Sequence, residues 1–258
     1  MTNTTVTYTS DYFKSDIFDT DYRTIALAIF EVYHPTTVAE FGCGPGHLSR
    51  EIAKLGVQVT AVDGYAQPDF SGLSVEFHQL DLNNPTAITN FFTGKHFDLA
   101  VSLEVAEHLQ PEMSPILLES LTKVAPIVVF SAAVPGQGGH GHINLRSRDY
   151  WHKEFASRNF IVADRLRERL RVNPNVAPWY RYNLLDYIYT DHPKVPQLSE
   201  VIHRLIASES DVATAYYETS TKLEVANFRL NFPPVRFYLS MRQVAKRLLA
   251  KDKNSKKE

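Results

Sequence analysis

Three glycines at alternate positions form the segment of the sequence with the clearest chemical use. Gly42, Gly44 and Gly46 follow directly after an apolar run that ends at Phe41. Glycine lets the backbone turn sharply and lets a ligand approach without meeting a Cβ atom. A dinucleotide-binding loop has glycine at the sixth position of such a motif, where this sequence has His47. The loop therefore predicts either a ligand site of another type or a structural turn.

Two aspartates are placed where they would face the same ligand. Asp63 closes the second apolar run, and Asp81 follows the third. Because ligands of open α/β sheets bind at the carboxyl ends of the strands, both carboxylates belong at the edge that carries the glycine loop. A carboxylate accepts two hydrogen bonds at once, which suits a pair of hydroxyl groups. Each aspartate alone fits a turn, but their common register with the strands favours a binding site.

A second glycine-rich segment, residues 133–144, contains two histidines. His140 and His142 titrate near neutral pH and are therefore candidate general bases. The alternative is that His142 and Asn144 only hold this loop in place by hydrogen bonds to the backbone. The sequence alone leaves both roles open.

A metal site is a further possibility for the same region. The two loop histidines would then converge with Glu104, Glu107 and His108. However, two histidines two positions apart in a glycine-rich loop do not have a zinc-binding spacing, and no cysteine accompanies them. The sequence therefore predicts no metal.

These candidate residues lie among short apolar runs that alternate with helical stretches, the pattern of a mostly parallel sheet covered on both faces. The predicted strands are residues 37–41, 57–62, 75–80, 97–103, 126–132, 160–163 and 183–189. The predicted helices are residues 48–55, 85–92, 114–124, 150–158 and 164–171.

The alternation divides the chain into three parts. Residues 1–35 are predicted to be an N-terminal helical lid segment with a helix at 24–32, and residues 36–190 form the sheet domain. Residues 191–258 are predicted to be a helical extension that ends in a disordered, lysine-rich tail. The aromatic run at 178–183 is expected to pack at a sheet edge rather than to wall the ligand site.

Composition restricts the class of protein. The 258 residues are 44% hydrophobic, enough for a sizeable core. Lys and Arg total 27 against 29 Asp and Glu, and a net charge of -2 argues against nucleic acid or an anionic membrane as the partner. The single Cys43 suits a reducing compartment, and no apolar run reaches the roughly 18 residues of a membrane span. We expect a cytoplasmic protein with a small-molecule partner; a homodimer stays open.

The glycine loop resembles the first motif of the class I S-adenosylmethionine-dependent methyltransferases, which is an acid, an apolar residue and Gly-x-Gly-x-Gly. The residues that match or lie within this motif are Glu40, Phe41, Gly42, Cys43, Gly44 and Gly46. By this resemblance the loop would cradle the methionine portion of the cofactor, with Glu40 near its amino group. Asp63 and the adjacent Gly64 would bind the ribose hydroxyls, and Asp81 and Leu82 would face the adenine.

The run at 102–109 resembles Ser-x-Glu-Val-x-Glu-His-Leu, which is familiar in the small-molecule branch of that family. It adds three candidate cofactor contacts: Leu103, Glu104 and His108. Glu107 and His108 each fit the acceptor pocket. The alternative, which is preferred for Glu107 and left open for His108, is that Glu107 caps the following helix and His108 packs beneath the cofactor. Arg23, in the lid segment, is a candidate for the methionine carboxylate.

The loop at 133–144, with Tyr150 and Trp151 soon after it, resembles a subgroup of bacterial methyltransferases associated with sugars or other small hydroxylated metabolites. His142 and Asn144 are the matching positions, so His142 is preferred to His140 as the base. The resemblance implies a Rossmann-like, open, mostly parallel seven-stranded sheet with helices on both faces and an antiparallel last strand. It also implies the cofactor S-adenosylmethionine and O-methyl transfer to a sugar or another hydroxylated metabolite.

Two other functions are compatible with the sequence. An RNA or protein methyltransferase would use the last helix, which is basic through Arg242, Lys246, Arg247, Lys251 and Lys253. A binding or scaffold subunit would keep the fold without catalysis, but such proteins usually lose the glycines or the ribose carboxylate, and both are present here. A methyltransferase for adenine or glutamine nitrogen is disfavoured, because its Pro-Pro-aromatic motif is replaced by the residues at 102–105.

Overall fold

The computed structural model describes residues 8–9 and 11–195. The helical runs and the basic tail that the sequence predicts toward the C-terminus begin beyond residue 195 and lie outside the described residues. The same holds for residues 1–7 and 10 of the predicted lid segment.

The described chain forms a seven-stranded sheet in the order β3-β2-β1-β4-β5-β7-β6. The strands are β1 (Thr37–Phe41), β2 (Gln58–Asp63), β3 (Val75–Gln79), β4 (Leu99–Leu103), β5 (Ile127–Ser131), β6 (Phe160–Val162) and β7 (Leu185–Tyr189). The first five pair in parallel, and β7 pairs antiparallel with β5 and β6. The predicted mostly parallel sheet with an antiparallel last strand is confirmed. The strand order reverses between β1 and β4, and open α/β sheets bind ligands at such a crevice.

Seven helices accompany the sheet in the described residues. They are α1 (Tyr22–Tyr33), α2 (His47–Lys54), α3 (Pro85–Phe92), α4 (Ser114–Val124), α5 (Arg148–Ala156), α6 (Arg167–Arg171) and α7 (Pro178–Asn183). Side chains that accept a backbone N–H cap three of them: Asp21 for α1, Asn84 for α3 and Ser147 for α5. None of these helices is both long and apolar enough to cross a membrane.

The strands are apolar on both sides and bury two separate cores, as a parallel sheet between helical layers requires. On one face, strand residues such as Val38 and Val129 pack with α1, α2, α6 and α7. On the other face, residues such as Phe41 and Phe130 pack with α3, α4 and α5. The sheet is therefore held rigidly from both sides, and the loops at its carboxyl edge start from fixed positions.

Two elements near the C-terminal end of the sheet differ from the sequence prediction. The helix predicted at 164–171 begins only at Arg167, because Asp164 has left-handed backbone (φ 49°) and cannot lie in a right-handed helix. The predicted edge segment at 178–183 is instead the helix α7. Pro178 begins this helix, where the N–H that proline lacks has no partner within the helix.

Asp164 and Arg167 form an ion pair in which the two side chains are only 4% and 1% exposed. The guanidinium donates through Nε and Nη2 to the two carboxylate oxygens at 2.6 and 2.5 Å, and through Nη1 to the carbonyl of Tyr182 at 3.1 Å. A buried charge is tolerated when its hydrogen bonds are satisfied in this way. The pair thus fixes the chain between β6 and α6.

We predict that Arg167→Ala lowers the free energy of unfolding by about 3 to 5 kcal/mol, because it leaves the buried carboxylate of Asp164 without its partner. Urea denaturation of the full chain measures the change. Arg169→Ala is the matched control: Arg169 lies on the same helix in an exposed ion pair with Glu31 at 3.5 Å. Exposed pairs contribute about 0 to 1 kcal/mol. Equal losses for the two variants would contradict the prediction.

Candidate active site

A cavity of about 510 Å³ lies at the carboxyl edge of the sheet, between the loops that follow β1, β2, β3, β4 and β5. Both candidate bases, His140 and His142, line it. Most of the predicted cofactor residues do so as well: Glu40, Gly42, Cys43, Gly44, Asp63, Gly64, Asp81, Leu82, Leu103, Glu104 and His108. Residues from five separate loops, which were selected by sequence pattern, are thus brought together in one place.

Three predicted cofactor residues lie outside this cavity. Phe41 points into the core on the far face of the sheet, where its ring stacks on Phe92 with centroids 4.0 Å apart. Arg23 is exposed on α1 and borders an open groove that adjoins the cavity. Gly46 is the N-cap of α2, and a Cβ there would come within 2.4 Å of the Phe70 ring. Glycine at position 46 therefore leaves room for the Phe70 ring to pack on the turn.

The glycine loop is tied to the end of β2 by Asp63. The buried carboxylate accepts the N–H of Gly44 at 2.9 Å through one oxygen, and the N–H groups of Tyr65 and Ala66, both at 2.8 Å, through the other. Gly42 has φ +80°, and a Cβ there would lie 2.4 Å from Val105. Three charge-assisted hydrogen bonds therefore hold a loop shape that only glycine permits.

The next acidic residue along this edge, Asp81, is exposed and its carboxylate accepts the N–H of Asn83 at 2.8 Å. Gly64 lies opposite it, and a Cβ on Gly64 would be 3.2 Å from the Asp81 Cα atom. Leu82 is buried beside it and contributes an apolar surface to the cavity. The arrangement provides a hydrogen-bond acceptor next to an apolar wall.

Glu40 is almost fully buried and accepts a hydrogen bond from the Ser49 hydroxyl of α2. Burial raises the pKa of its carboxyl to about 8, although the Ser49 hydrogen bond and other contacts offset part of the effect. The group is therefore mostly protonated at neutral pH. A cationic group that arrived next to it would favour the ionised form.

Glu107 does not cap a helix, contrary to the prediction. It lies in the turn Ala106–His108, and α4 begins at Ser114 without a side-chain cap. Its side chain is fully buried and lines the cavity, and neither carboxyl oxygen has a well-formed hydrogen bond. Its nearest polar groups include the carboxyl of Glu104 and the backbone N–H of Ala133. A buried carboxyl with so few partners is costly, which makes Glu107 a candidate functional residue.

The two loop histidines differ in environment. His140 is exposed, whereas His142 is half-buried. The His142 ring packs on Gly139, where an added Cβ atom would lie only 2.0 Å from the ring carbon Cε1. The His142 ring hydrogen-bonds the backbone of Gln137 through one nitrogen, and its Nδ1 is buried without a partner. In the tautomer with hydrogen on Nε2, Nδ1 carries the lone pair that can accept a proton.

Asn144 fixes the end of this loop. Its amide donates to the Ala106 carbonyl at 3.0 Å and to the Ser114 hydroxyl at 2.7 Å, and it is only 2% exposed. One hypothesis from the sequence was that His142 and Asn144 only hold the loop in place, and Asn144 has this role. His142 has this role through one ring nitrogen and keeps the other free.

Glu107, His108 and His142 each place one potential metal-ligating atom within 4.8 Å of the other two, a spacing at which the three residues could hold a metal ion. His108, however, already uses both ring nitrogens: Nδ1 lies 2.9 Å from the Tyr8 hydroxyl, and the ring hydrogen-bonds the backbone of Gly141. Burial and the neighbouring His142 lower the pKa of His108 to about 4. We interpret the group as a hydrogen-bonded cluster of neutral imidazoles beside a carboxyl.

Aromatic residues from the N-terminal segment and α7 also line the cavity. From the N-terminal segment, Tyr8 packs edge-on against Tyr12 with ring centroids 5.2 Å apart, and lies equally close to Tyr65 from the loop after β2. From α7, Trp179 and Tyr180 line the cavity, so the aromatic run predicted only to pack also walls the site. No spacing rule identifies these residues in the sequence, because their contact with the cavity depends on how α7 and the first residues fold back.

A family model described as a methyltransferase domain matches residues 34–171 of the chain. The chain is 30% identical over 105 residues to the ubiquinone biosynthesis O-methyltransferase of Methylobacterium sp. (strain 4-46), covering 38% of this chain and 40% of that protein. It is also 30% identical over 111 residues to the protein of the same name from Ruegeria sp. (strain TM1040), covering 40% and 42%. The matches thus span about two fifths of each curated relative.

The fold is similar to that of the 1,6-didemethyltoxoflavin-N1-methyltransferase of Burkholderia thailandensis, which was solved with 1,6-didemethyltoxoflavin and S-adenosylhomocysteine bound. The TM-score is 0.50 at 17% sequence identity, and the comparison covers 69% of this chain and 82% of that one. At this level of identity the similarity concerns the fold.

Proposed function

Because this chain belongs to the methyltransferase domain family, whose class I members use S-adenosylmethionine, we propose that it transfers the methyl group of that cofactor to a hydroxyl group of a small molecule. The observation that carries the proposal is the glycine loop held by Asp63 at the edge of a cavity that contains a free histidine nitrogen. The acceptor is a sugar or another hydroxylated metabolite.

The residues of the cavity fit the cofactor. Gly42 and Gly44 provide a cradle free of Cβ atoms, and Glu40 lies beneath it as a partner for the methionine amino group. Asp63 uses three of the roughly four lone-pair sites of a carboxylate on backbone N–H groups, which leaves one for a ribose hydroxyl. Asp81 and Leu82 offer the polar and apolar contacts that an adenine requires. Cys43 and Leu103 fill the remaining wall.

When bound, the cofactor supplies a sulfonium-activated methyl group, so the protein has to align the acceptor, exclude water and remove a proton. Alignment alone contributes about 7 kcal/mol or more in favourable intramolecular models. The aromatic residues Tyr8, Tyr12 and Tyr180 exclude water from the cavity. His142 is the proposed base, since its Nδ1 lone pair is free and buried. The exposed His140 is the weaker candidate.

The curated relatives are named as O-methyltransferases, which supports oxygen as the methylated atom. The likeness of the histidine loop to that of sugar-modifying enzymes supports a polyhydroxylated acceptor. No lysine or arginine of the described residues lines the cavity, so an RNA substrate has no cationic contact there. The basic helix predicted near the C-terminus lies outside the described residues. The cytoplasmic location and the oligomeric state stay predictions.

We predict that Asp63→Ala weakens binding of S-adenosylmethionine at least tenfold, because it removes a ribose partner and releases the glycine loop. Calorimetric titration of the cofactor into the full chain measures the affinity. Asp69→Ala is the control, since Asp69 is exposed in the same loop and does not line the cavity. Absence of binding to the unmodified protein would refute the proposed function.

We predict that His142→Ala lowers kcat by about a hundredfold or more, the usual contribution of a positioned base. His140→Ala is the control and should have a much smaller effect.

Burial lowers the pKa of His142 below its ordinary value of 6.5. The neutral, active form therefore persists above that lowered pKa, and the rate should fall only as pH drops through it. Both kcat and its pH dependence are measured from the release of S-adenosylhomocysteine, with an acceptor found by screening hydroxylated compounds. A rate that does not change in His142→Ala would exclude this base.

A further inference from the structure

A tight turn opens the loop at 133–144 and directs one polar side chain into the cavity. In this turn the Gln137 N–H donates to the Val134 carbonyl at 3.0 Å. The two central residues are Pro135 and Gly136, and Gly136 has φ +94°. Proline followed by a residue with positive φ is the pair that a type II turn favours. The half-buried side chain of Gln137 lines the cavity between the end of β4 and α7.

The side-chain amide of Gln137 is the middle link of a chain of hydrogen bonds. Arg148 of α5 donates through Nη2 to Oδ1 of Asn183 in α7 at 3.2 Å. Asn183 donates through Nδ2 to Gln137 Oε1 at 2.8 Å, and Gln137 donates through Nε2 to Glu104 Oε2 at 3.0 Å. Glu104 is itself fixed, because its backbone N–H donates to the Ser131 carbonyl of β5 at 3.0 Å. The chain therefore joins α5, α7, the loop and the end of β4.

The guanidinium of Arg148 determines the direction of every hydrogen bond in this chain. Because a guanidinium only donates, Asn183 has to turn its carbonyl oxygen toward Arg148 and its NH₂ group toward Gln137. Gln137 then accepts from Asn183 and keeps its own NH₂ group for the carboxyl oxygen of Glu104. Reversing either amide would break two hydrogen bonds at once. Gln137 thus has one orientation and two fixed partners.

The ring of His142 rests on the segment that this chain holds. It packs on Gly139, two residues after Gln137, so closely that an added Cβ atom on Gly139 would lie 2.0 Å from the ring carbon Cε1. The ring also faces the backbone of Gln137. A shift of this backbone would therefore move the ring.

The far end of the same loop is held by other hydrogen bonds. The N–H groups of Ile143 and Asn144 both donate to the Glu107 carbonyl, at 2.9 and 3.0 Å. Between this end and Gln137 lie residues 138–142, three of which are glycine. Because glycine restricts the backbone least, the path of this segment over the cavity depends on both of its ends.

The geometry points to Gln137 as a positioning residue for His142: its amide joins Glu104 to Asn183 and thereby fixes the backbone on which the imidazole rests. The inference rests on the proposed function, in which His142 accepts the proton of the acceptor hydroxyl. Gln137 acts through His142 rather than on the reacting atoms. A misplacement of about 1 Å in a reacting group can cost about a hundredfold in rate.

The test uses Gln137→Met, which keeps the approximate length of the side chain, removes both of its hydrogen bonds and adds no charge. NMR of the cofactor-free full chain measures the nuclear Overhauser effect between the His142 Hε1 proton and the Gly139 Hα protons. We expect this signal to be lost in Gln137→Met. Gln110→Met is the matched control, because Gln110 is exposed and does not line the cavity, and it should keep the signal. An undiminished signal in Gln137→Met would overturn the proposal.

A second variant tests the same link from α7 if thermal denaturation shows that Gln137→Met does not fold. Asn183→Asp keeps an oxygen for Arg148 but removes the NH₂ group that donates to Gln137. It should weaken the same Overhauser effect, and an unchanged effect would count equally against the proposal.

These NMR measurements require neither cofactor nor acceptor, so they distinguish failure of the positioning role from failure of the methyltransferase function. In an acceptor assay, Gln137→Met should lower kcat about tenfold or more, because the base is misplaced. The KM for S-adenosylmethionine should change little, since the hydrogen bonds of Asp63 that hold the glycine loop are untouched. A raised KM with an unchanged kcat would contradict the assignment.

Discussion

The carboxylate of Asp63 accepts three backbone hydrogen bonds, and the shape of the cavity depends on them. One comes from Gly44 in the loop after β1, and two come from Tyr65 and Ala66 in the loop after β2. Parallel strands place both loops at the same edge, and this carboxylate adds to the two hydrogen bonds that the N–H groups of Gly42 and Cys43 donate to the carbonyl of Val62 in β2. Gly42 has a backbone conformation that other residues rarely adopt, so these hydrogen bonds hold a loop shape that requires glycine.

The electrostatics of the cavity follow from a lack of cations. Its described lining contains carboxyls and neutral imidazoles, but neither lysine nor arginine. Burial raises the pKa of Glu40 to about 8 and that of Glu104 to about 7, and it raises the pKa of Glu107 well above its ordinary value. Such a site accommodates a cationic cofactor without strong repulsion and leaves an anionic acceptor without a partner. Burial lowers the pKa of His142, so its ring is neutral near pH 7 and can accept a proton.

Sequence patterns predicted the sheet well, since the alternation of apolar runs and helices depends on local burial. The helices at 85–92 and 114–124 agree with the structure to the residue. Patterns failed where a tertiary contact determines the outcome. The buried Asp164–Arg167 pair shortens α6, the ring of Phe41 turns to the opposite core, and Arg23 stays on the outer side of α1.

The residues of the cavity were likewise predicted where local patterns identify them and missed where tertiary contacts place them. The motif residues were found because glycine and carboxylate positions after strands have few other uses. Glu107 was assigned to a cap because a carboxylate before a helix usually serves there, but it lies in the turn Ala106–His108, which no sequence pattern indicated. The burial of His142 Nδ1 without a partner depends on how the loop at 133–144 folds, which no spacing rule contains.

The central claim is that the glycine loop held by Asp63 binds the cofactor, and amide NMR of the full chain titrated with S-adenosylhomocysteine tests it most directly. The account predicts that the amide signals of Gly44, Tyr65 and Leu82 shift with saturation, while those of α6 remain in place. Shifts confined to the open groove beside Arg23, or no shifts at all, would contradict it.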